Sequence, residues 1–549
     1  MKNAEKVGNV YSVRGRYYGL DNIPITISKG KEVPNWSYVF VKHWKTGKPV
    51  VYQVIKVHFD QPGTEYQDVS ISMGSPIKDP SIRKYKCRGL LVGEIEERGD
   101  IIPPRYPIEP EADVYRCPDE MVKFITQPLD KWSIRVGEIP ELKIPVKIHL
   151  KPLVRQGLLI TGAQGTGKTT ALITLITRAA LANPPLRFLI LDWTGEFMNI
   201  KKAIDNIRRK IKENDKKYLL EILGISEEEL SEDYLRLLSR ASVKVIEWWK
   251  IYCGFLKIEE LTEYLRTMLD RIIAQQYRFS DASRKYARTL VSHVHKLTIK
   301  DLEILAESKS MKGKKEESTV AGAKTLIRSV LSSYLPADDK DLEKWESFSY
   351  LIDKLKEDIE RNNVVIIDFS ARIPEELSIA DDINVKADIA TMIAKRIWDI
   401  GSKDPDFGCI IVVDEAHRVC PEKDFGYMDP IWQRLASEGG RNKIPLWIVA
   451  RRLSLVSKKV TTELQQNFFC FNVEDVDKKR VEENLGKTFA DIAPYGTIPP
   501  LHCIIKSNGF RIPGQIVFTK IDIIERPAGV RPAKEVFREM EKKREKSTG

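Results

Sequence analysis

The rhythm of apolar and polar positions changes once along this chain, near residue 157. Before it, short apolar runs alternate with polar residues in VGNVYSV (7–13), ITIS (25–28), WSYVFVKHW (36–44), VVYQVIKVHF (50–59) and GLLVGEI (89–95). Pro and Gly cluster between them, as in DQPG (60–63) and IIPPRYPIEP (101–110). Closely spaced strands with such turns predict a small β-barrel over residues 1–150. The aromatics Tyr11, Tyr17, Tyr18, Trp36 and Tyr38 read first as barrel core and rim, and second as a surface for stacking bases.

After residue 157 the apolar runs become continuous: GLLIT (157–161), RFLILDW (187–193), NVVIIDF (363–369), CIIVVDE (409–415), LWIVA (446–450) and NFFCFNV (467–473). Strands covered on both faces of a parallel sheet need such runs, so 151–197 and 363–525 are expected to form one α/β nucleotide-binding core. Between them, 198–362 has helical period, for example in LTEYLRTMLDRIIAQQY, and reads as an inserted helical bundle. Within it SKSMKGKKEEST (308–319) has no apolar period and reads as a mobile, solvated loop. The tail 526–549 reads as a Pro-broken linker and a short charged helix.

Length and composition narrow the class. A chain of 549 residues, 42% hydrophobic and 30% charged, fits two or three globular domains and excludes a disordered chain. No run approaches the roughly 18 apolar residues of a membrane span, and the N-terminus lacks a signal-peptide core, so a cytoplasmic location is expected. None of the seven cysteines forms a C-x-x-C pair, which argues for buried reduced thiols rather than zinc ligands. Lys and Arg number 89 against 78 acids, a net charge of +11. That excess suits a polyanionic partner, and equally a Lys/Glu-rich surface of thermophile type.

The chemistry begins at residues 162–169, GAQGTGKT, which fit G-x-x-x-x-G-K-[ST] between a strand and a helix. Gly162, Ala163, Gln164, Gly165, Thr166, Gly167, Lys168, Thr169 and Thr170 are therefore the expected nucleotide-binding residues, with ATP as ligand. Lys168 supplies charge to the β and γ phosphates, and the Thr169 hydroxyl ligates Mg2+. A second apolar strand ends in Asp414 and Glu415: Asp414 reads as the Walker B acid holding Mg2+ through water, Glu415 as the group that polarises the attacking water. His417 reads equally as a γ-phosphate sensor and as a structural hydrogen-bonder. Asp192 and Glu196, in DWTGEF (192–197), end the strand after the P-loop helix and are expected to face the nucleotide or a subunit boundary. A turn built on Gly195 is the alternative.

With these blocks in order, the chain resembles the HerA family, hexameric DNA translocases of the HerA/FtsK branch of P-loop ATPases. The resemblance rests on IRVG (134–137), VKIHLKPLVRQGLLITGAQGTGKT (146–169), DWTGEF, VVDEAH (412–417), LASEGGRNKIPLWIVARR (435–452) and HCIIKSNGFRIPGQIVFTKID (502–522). It implies a RecA-like core behind a barrel of the family's HAS type. It also implies an arginine that reaches a neighbouring subunit's γ-phosphate. The family's R-E-G-R-K-like stretch reads Ser437-Glu438-Gly439-Gly440-Arg441-Asn442-Lys443 here, which leaves Arg441, displaced by one position, as the finger candidate. The family's S-Q-R-P-like sensor turn reads Ala450-Arg451-Arg452-Leu453: Arg452 matches the family arginine, and Arg451 replaces the sensor glutamine.

The resemblance implies an ATP-driven homo-hexameric ring that moves duplex DNA without sequence preference, with a NurA-type nuclease docked on the barrel for DNA end processing. Specialised motors for DNA transfer or packaging are the alternative within this class, and a nucleotide-gated scaffold for an effector enzyme is the alternative outside it. Loops 419–430 and 451–459 are the expected pore loops, with Lys423, Lys458 and Lys459 as DNA contacts or as ordinary solvated lysines.

Overall fold

The computed structural model describes residues 4–11, 22–28, 30–60, 84–128, 132–182, 184–254, 259–294, 296–308, 316–377, 379, 381–423, 428–490 and 498–525. Tyr17, Tyr18, most of the 308–319 loop, part of the 419–430 loop and the 526–549 tail lie outside them. The chain divides into two compact units. The first holds Met1–Leu150 and His502–Ile521, and the second holds Lys151–Leu501 and resumes at Asp522.

The first unit contains β1 (Lys6–Val10), β2 (Asn22–Ile27), β3 (Tyr38–Lys42), β4 (Pro49–Asp60), β5 (Lys84–Ile95), β6 (Ile101–Ile102) and β7 (Asp113–Arg116). Their order is β2-β1-β7-β3-β4-β5-β6, and β5 also pairs with β2, closing a six-stranded antiparallel barrel with β6 appended. Alternation drives this closure: along β2, Ile23, Ile25 and Ile27 point inward, where they meet Val7, Val39, Val41, Tyr52, Val54 and Val114. Among the aromatics, Tyr38 is buried and Trp36 stacks on Phe518 at 4.9 Å. Gly8 permits the close β1–β2 approach, since a Cβ there would lie 2.1 Å from the Thr26 carbonyl oxygen.

β8 (Ser133–Ile139) and β9 (Ile144–His149) form a hairpin in the same unit. A second hairpin, His502–Ser507 with Gln515–Ile521, joins it through Ile521↔Gly137 and Lys520↔Glu138. By compactness these two strands group with the first unit. Antiparallel partners separated by 382 residues, as Lys520 and Glu138 are, leave no local signature.

The second unit is built on seven parallel strands: β10 (Leu158–Thr161), β11 (Phe188–Asp192), β12 (Val243–Glu247), β13 (Val364–Asp368), β14 (Ile410–Val413), β15 (Leu446–Ala450) and β16 (Asn467–Cys470). The order is β12-β13-β11-β14-β15-β10-β16. β10, β11, β14, β15 and β16 are buried along their whole length, as helices on both faces require. β15 lies between β10 and β14, so the chain leaving β15 emerges between the ends of the other two.

The 198–362 segment is mostly helical, with Trp248, Tyr252 and Trp345 buried together and helix Asp281–His293 packed on Glu317–Ser329. It is not wholly helical: VKVIE (243–247) forms β12 and extends the parallel sheet beside β13. Five residues are too few for helical period to declare itself, and β-branched Val and Ile favour the strand.

Candidate functional site

The phosphate loop is shaped by backbone geometry. Gly165 and Gly167 adopt φ of +76° and +110°, which side chains with a Cβ rarely reach. Gly167 then caps helix Lys168–Ala180, whose free N–H groups open toward the loop. Two anchors hold the loop: Ala163 N–H donates to the Asn472 carbonyl at 2.6 Å, and Leu501 N–H donates to the Thr166 carbonyl at 2.9 Å. The Thr166 hydroxyl and the Lys168 ammonium each donate to the Ala163 carbonyl at 2.8 Å, so the lysine lies across the cradle. Gln164 and Gly165 are exposed at the loop tip, Thr169 is half-buried at the first turn, and Thr170 is buried behind it.

Four acids and bases from other strand ends act on this lysine. Burial pushes the Lys168 ammonium below its ordinary pKa, the charges of Glu415, Asp414 and Glu196 oppose that shift, and Arg451 reinforces it. The ends of β10, β11, β14 and β15 thus converge at one place, where ligands of open α/β sheets bind.

Asp414, at the end of β14, is 4% exposed. Burial first, then the charges of Glu415 and Asp192, raise its carboxyl to about 7. Glu415 follows with φ 50° and ψ 51°, a left-handed conformation for a residue with a Cβ, which costs on the order of 1–2 kcal/mol. The residue expected to polarise water is therefore held in a strained turn. His417 Nδ1 lies 3.2 Å from Glu415 Oε2. Burial lowers the imidazole pKa, as do the charges of Arg418 and Arg451, while Glu415 opposes them. His417 also borders a cavity of about 360 Å³ shared with Tyr334, Asp382 and Asp388.

The two acids of DWTGEF separate. Glu196 acts electrostatically on Lys168, whereas Asp192 is fully buried and turned into the protein. Asp192 Oδ1 accepts N–H groups from Thr194 at 3.0 Å and Gly195 at 2.8 Å, and Oδ2 accepts Phe197 N–H at 3.0 Å. Its carboxylate thus organises the Gly195 turn rather than facing outward, because three backbone donors at a buried strand end demand an acceptor. Burial raises it to about 6.

The expected pore loops meet. Pro421 pairs with Val456 in an isolated antiparallel bridge, Glu422 N–H donates to Leu455 O at 2.8 Å, and Ser457 N–H donates to Cys420 O at 2.9 Å. Glu422 Oε2 also accepts Lys458 N–H at 2.8 Å and Arg480 Nη2 at 3.0 Å. Lys423 and Lys459 are exposed, and Lys458 pairs with Glu483 at 2.9 Å. Arg452 pairs with Glu474 at 2.5 Å, while Arg451 is exposed near the phosphate loop. Arg441 is exposed on the turn before β15. The nearby Lys443 carbonyl accepts Cys409 N–H just before β14 begins, so Arg441 stands at the end of the sheet opposite its own phosphate loop.

Sequence reading passed over Thr194, Asn472 and Glu422, whose roles come from partners distant along the chain. The sites that fit ATP and Mg2+ are those already marked. Gly165 leaves open space around the loop, since nothing lies within 4 Å of where its Cβ would stand. No cluster of three or more His, Cys, Asp or Glu side chains suited to a metal occurs among the described residues. Thr169, half-buried at the first helix turn, and Asp414, at the end of β14, are the oxygen donors present for Mg2+, an ion bound through one or two protein oxygens, substrate phosphates and water. Among the described residues no helix is long and apolar enough to cross a membrane.

Residues 134–397 match the family model described as "Helicase HerA, central domain". The chain is 22% identical over 443 residues to the "DNA double-strand break repair helicase HerA" of Pyrococcus furiosus, covering 73% of this chain and 72% of that protein. Among solved structures it is similar to VirB4 of Thermoanaerobacter pseudethanolicus, with 13% identity, TM-score 0.43, and 74% of this chain and 100% of that one covered. It is also similar to the plasmid coupling protein TrwB in complex with ADP and Mg2+, with 14% identity, TM-score 0.43, and coverage of 76% and 94%.

Proposed function

We propose that this chain is a HerA-type P-loop ATPase that works as a ring, most simply a homo-hexamer, hydrolysing ATP with Mg2+ to move along duplex DNA in the cytoplasm. The observation that carries the proposal is the meeting of Lys168, Glu196, Asp414, Glu415 and Arg451 at the ends of four strands. Loop N–H groups and Lys168 bind and orient the phosphates, with the dipole of helix Lys168–Ala180 behind them. Thr169 and Asp414 would hold Mg2+, which would supply positive charge to the bound phosphates. Glu415 accepts a proton from the attacking water, and the neutral His417 beside it restrains the carboxylate.

Two features support action at a subunit boundary and on DNA. Arg441 is remote from its own phosphate loop, so a γ-phosphate it serves belongs to a neighbouring subunit. The joined loops 419–423 and 451–459 link the Glu415 and Arg451 strand ends to exposed Lys423 and Lys459. Phosphate contacts of that kind ignore base identity, as a translocase needs. A NurA-type nuclease docked on the barrel, in the service of DNA end processing, completes the proposal. Steady-state ATPase with and without duplex DNA tests it: stimulation supports a motor, and a DNA-independent rate supports a nucleotide-gated scaffold instead.

A further inference from the structure

The Thr194 hydroxyl stands between two buried carboxylates, 3.2 Å from Asp192 Oδ1 and 3.1 Å from Asp414 Oδ2. A hydroxyl has one proton to donate. Asp192 already accepts three backbone N–H groups, two of them on the same Oδ1 that faces Thr194. The proton is best used on Asp414. The Glu196 N–H, 3.4 Å away, supplies the hydroxyl oxygen with a weak donor of its own. A relay results, from the Glu196 amide to the Thr194 hydroxyl to Asp414 Oδ2, that ties the β11 turn to the end of β14.

We propose that Thr194 is a positioning residue for magnesium: by donating to Asp414 Oδ2 it fixes the orientation of the carboxylate that would hold the ion. The inference rests on the nucleotide reading above and deepens it. Asp414 is otherwise approached by the Glu415 backbone N–H, whose residue sits in a strained turn. Without Thr194 the carboxylate has one side-chain restraint fewer at the point where orientation matters. Partners that orient a metal-bound group ordinarily change metal affinity or activity by about 10- to 100-fold when removed.

The test compares the full chain with Thr194→Val, which keeps the shape and loses the hydroxyl, and Thr194→Ser, which keeps the hydroxyl. The readout is binding of a fluorescent ATP analogue, titrated with Mg2+ and repeated in EDTA, alongside the melting temperature. Thr194→Val is expected to bind the analogue normally in EDTA, to melt as the wild type does, and to need roughly tenfold more Mg2+. Thr194→Ser is expected to restore the wild-type Mg2+ requirement. A Thr194→Val protein with an unchanged Mg2+ requirement overturns the inference and leaves the nucleotide reading standing. Equal loss of binding in EDTA and Mg2+ also overturns it, by assigning Thr194 to the turn alone. A wild-type chain that binds the analogue with no response to Mg2+ overturns the nucleotide reading itself.

Discussion

Replacing Asp414 with Asn separates stability from function. Asp414 is 4% exposed, and burial with the charges of Glu415 and Asp192 lifts its carboxyl from 3.8 to about 7. At pH 8 the folded protein carries that charge at a cost, while the unfolded chain carries it freely. The interval from 3.8 to about 7 corresponds to about 4 kcal/mol, an upper figure for what the charge costs the fold. The sign follows from linkage: between the unfolded and folded values the native state binds the extra proton, so stability falls as pH rises through that window and levels off above it. Asp414→Asn should therefore stabilise the nucleotide-free protein at pH 8, raising its melting temperature by a few degrees, on the order of 1–2 °C per kcal/mol for a unit this large. The gain should shrink by more than half at pH 5 and vanish below pH ~4. The same variant should lose Mg2+-dependent ATP turnover. Calorimetry at pH 8 and pH 5, with Mg2+ and nucleotide withheld, is the assay. A variant destabilised equally at both values would refute the reasoning, because it would mean that Asp414 stabilises the fold through its contacts rather than straining it through its charge.

Glu415→Gln should bind ATP yet lose on the order of 100-fold or more in turnover, measured by single-turnover hydrolysis. Normal turnover would remove Glu415 from the chemistry. Arg441→Ala subunits mixed with Glu415→Gln subunits should recover hydrolysis only at boundaries that pair an intact arginine with an intact glutamate, read as ATPase against mixing ratio, and a simple linear sum of the two activities would place Arg441 outside the site. Lys458→Ala with Lys459→Ala should flatten the log–log dependence of duplex affinity on salt by roughly one to two, at about 0.9 per phosphate released. Because Lys458 is paired with Glu483, the lower end is expected, and an unchanged slope would place both lysines outside the DNA path.

The parts of the fold that could be read from the sequence are those written in local pattern. Continuous apolar runs marked β10, β11 and β13 to β16, and the glycines and lysine of residues 162–169 marked the phosphate loop, since phosphate binding imposes its own spacing on the backbone. What stayed hidden depends on residues far apart in the chain. β12 escaped because five residues within a helical segment carry no period of their own. The pairing of the 502–521 hairpin with β8 is written in no local pattern. Asp192 read either as a site acid or as part of a turn on Gly195, and both of its oxygens accept N–H groups of that turn. Thr194 carries no mark of its own within DWTGEF, and it gains its contact only because the fold brings Asp414 against it. Arg452 and Lys458, singled out as charges, proved to have Glu474 and Glu483 as partners.

The central claim is that this site's hydrolysis moves DNA, and displacement of a third strand from a long duplex measures that movement directly. With ATP and Mg2+, the wild-type chain should strip the third strand at a rate that rises with ATP and disappears in Lys168→Ala and Glu415→Gln. Vigorous hydrolysis with the third strand left in place would contradict the account.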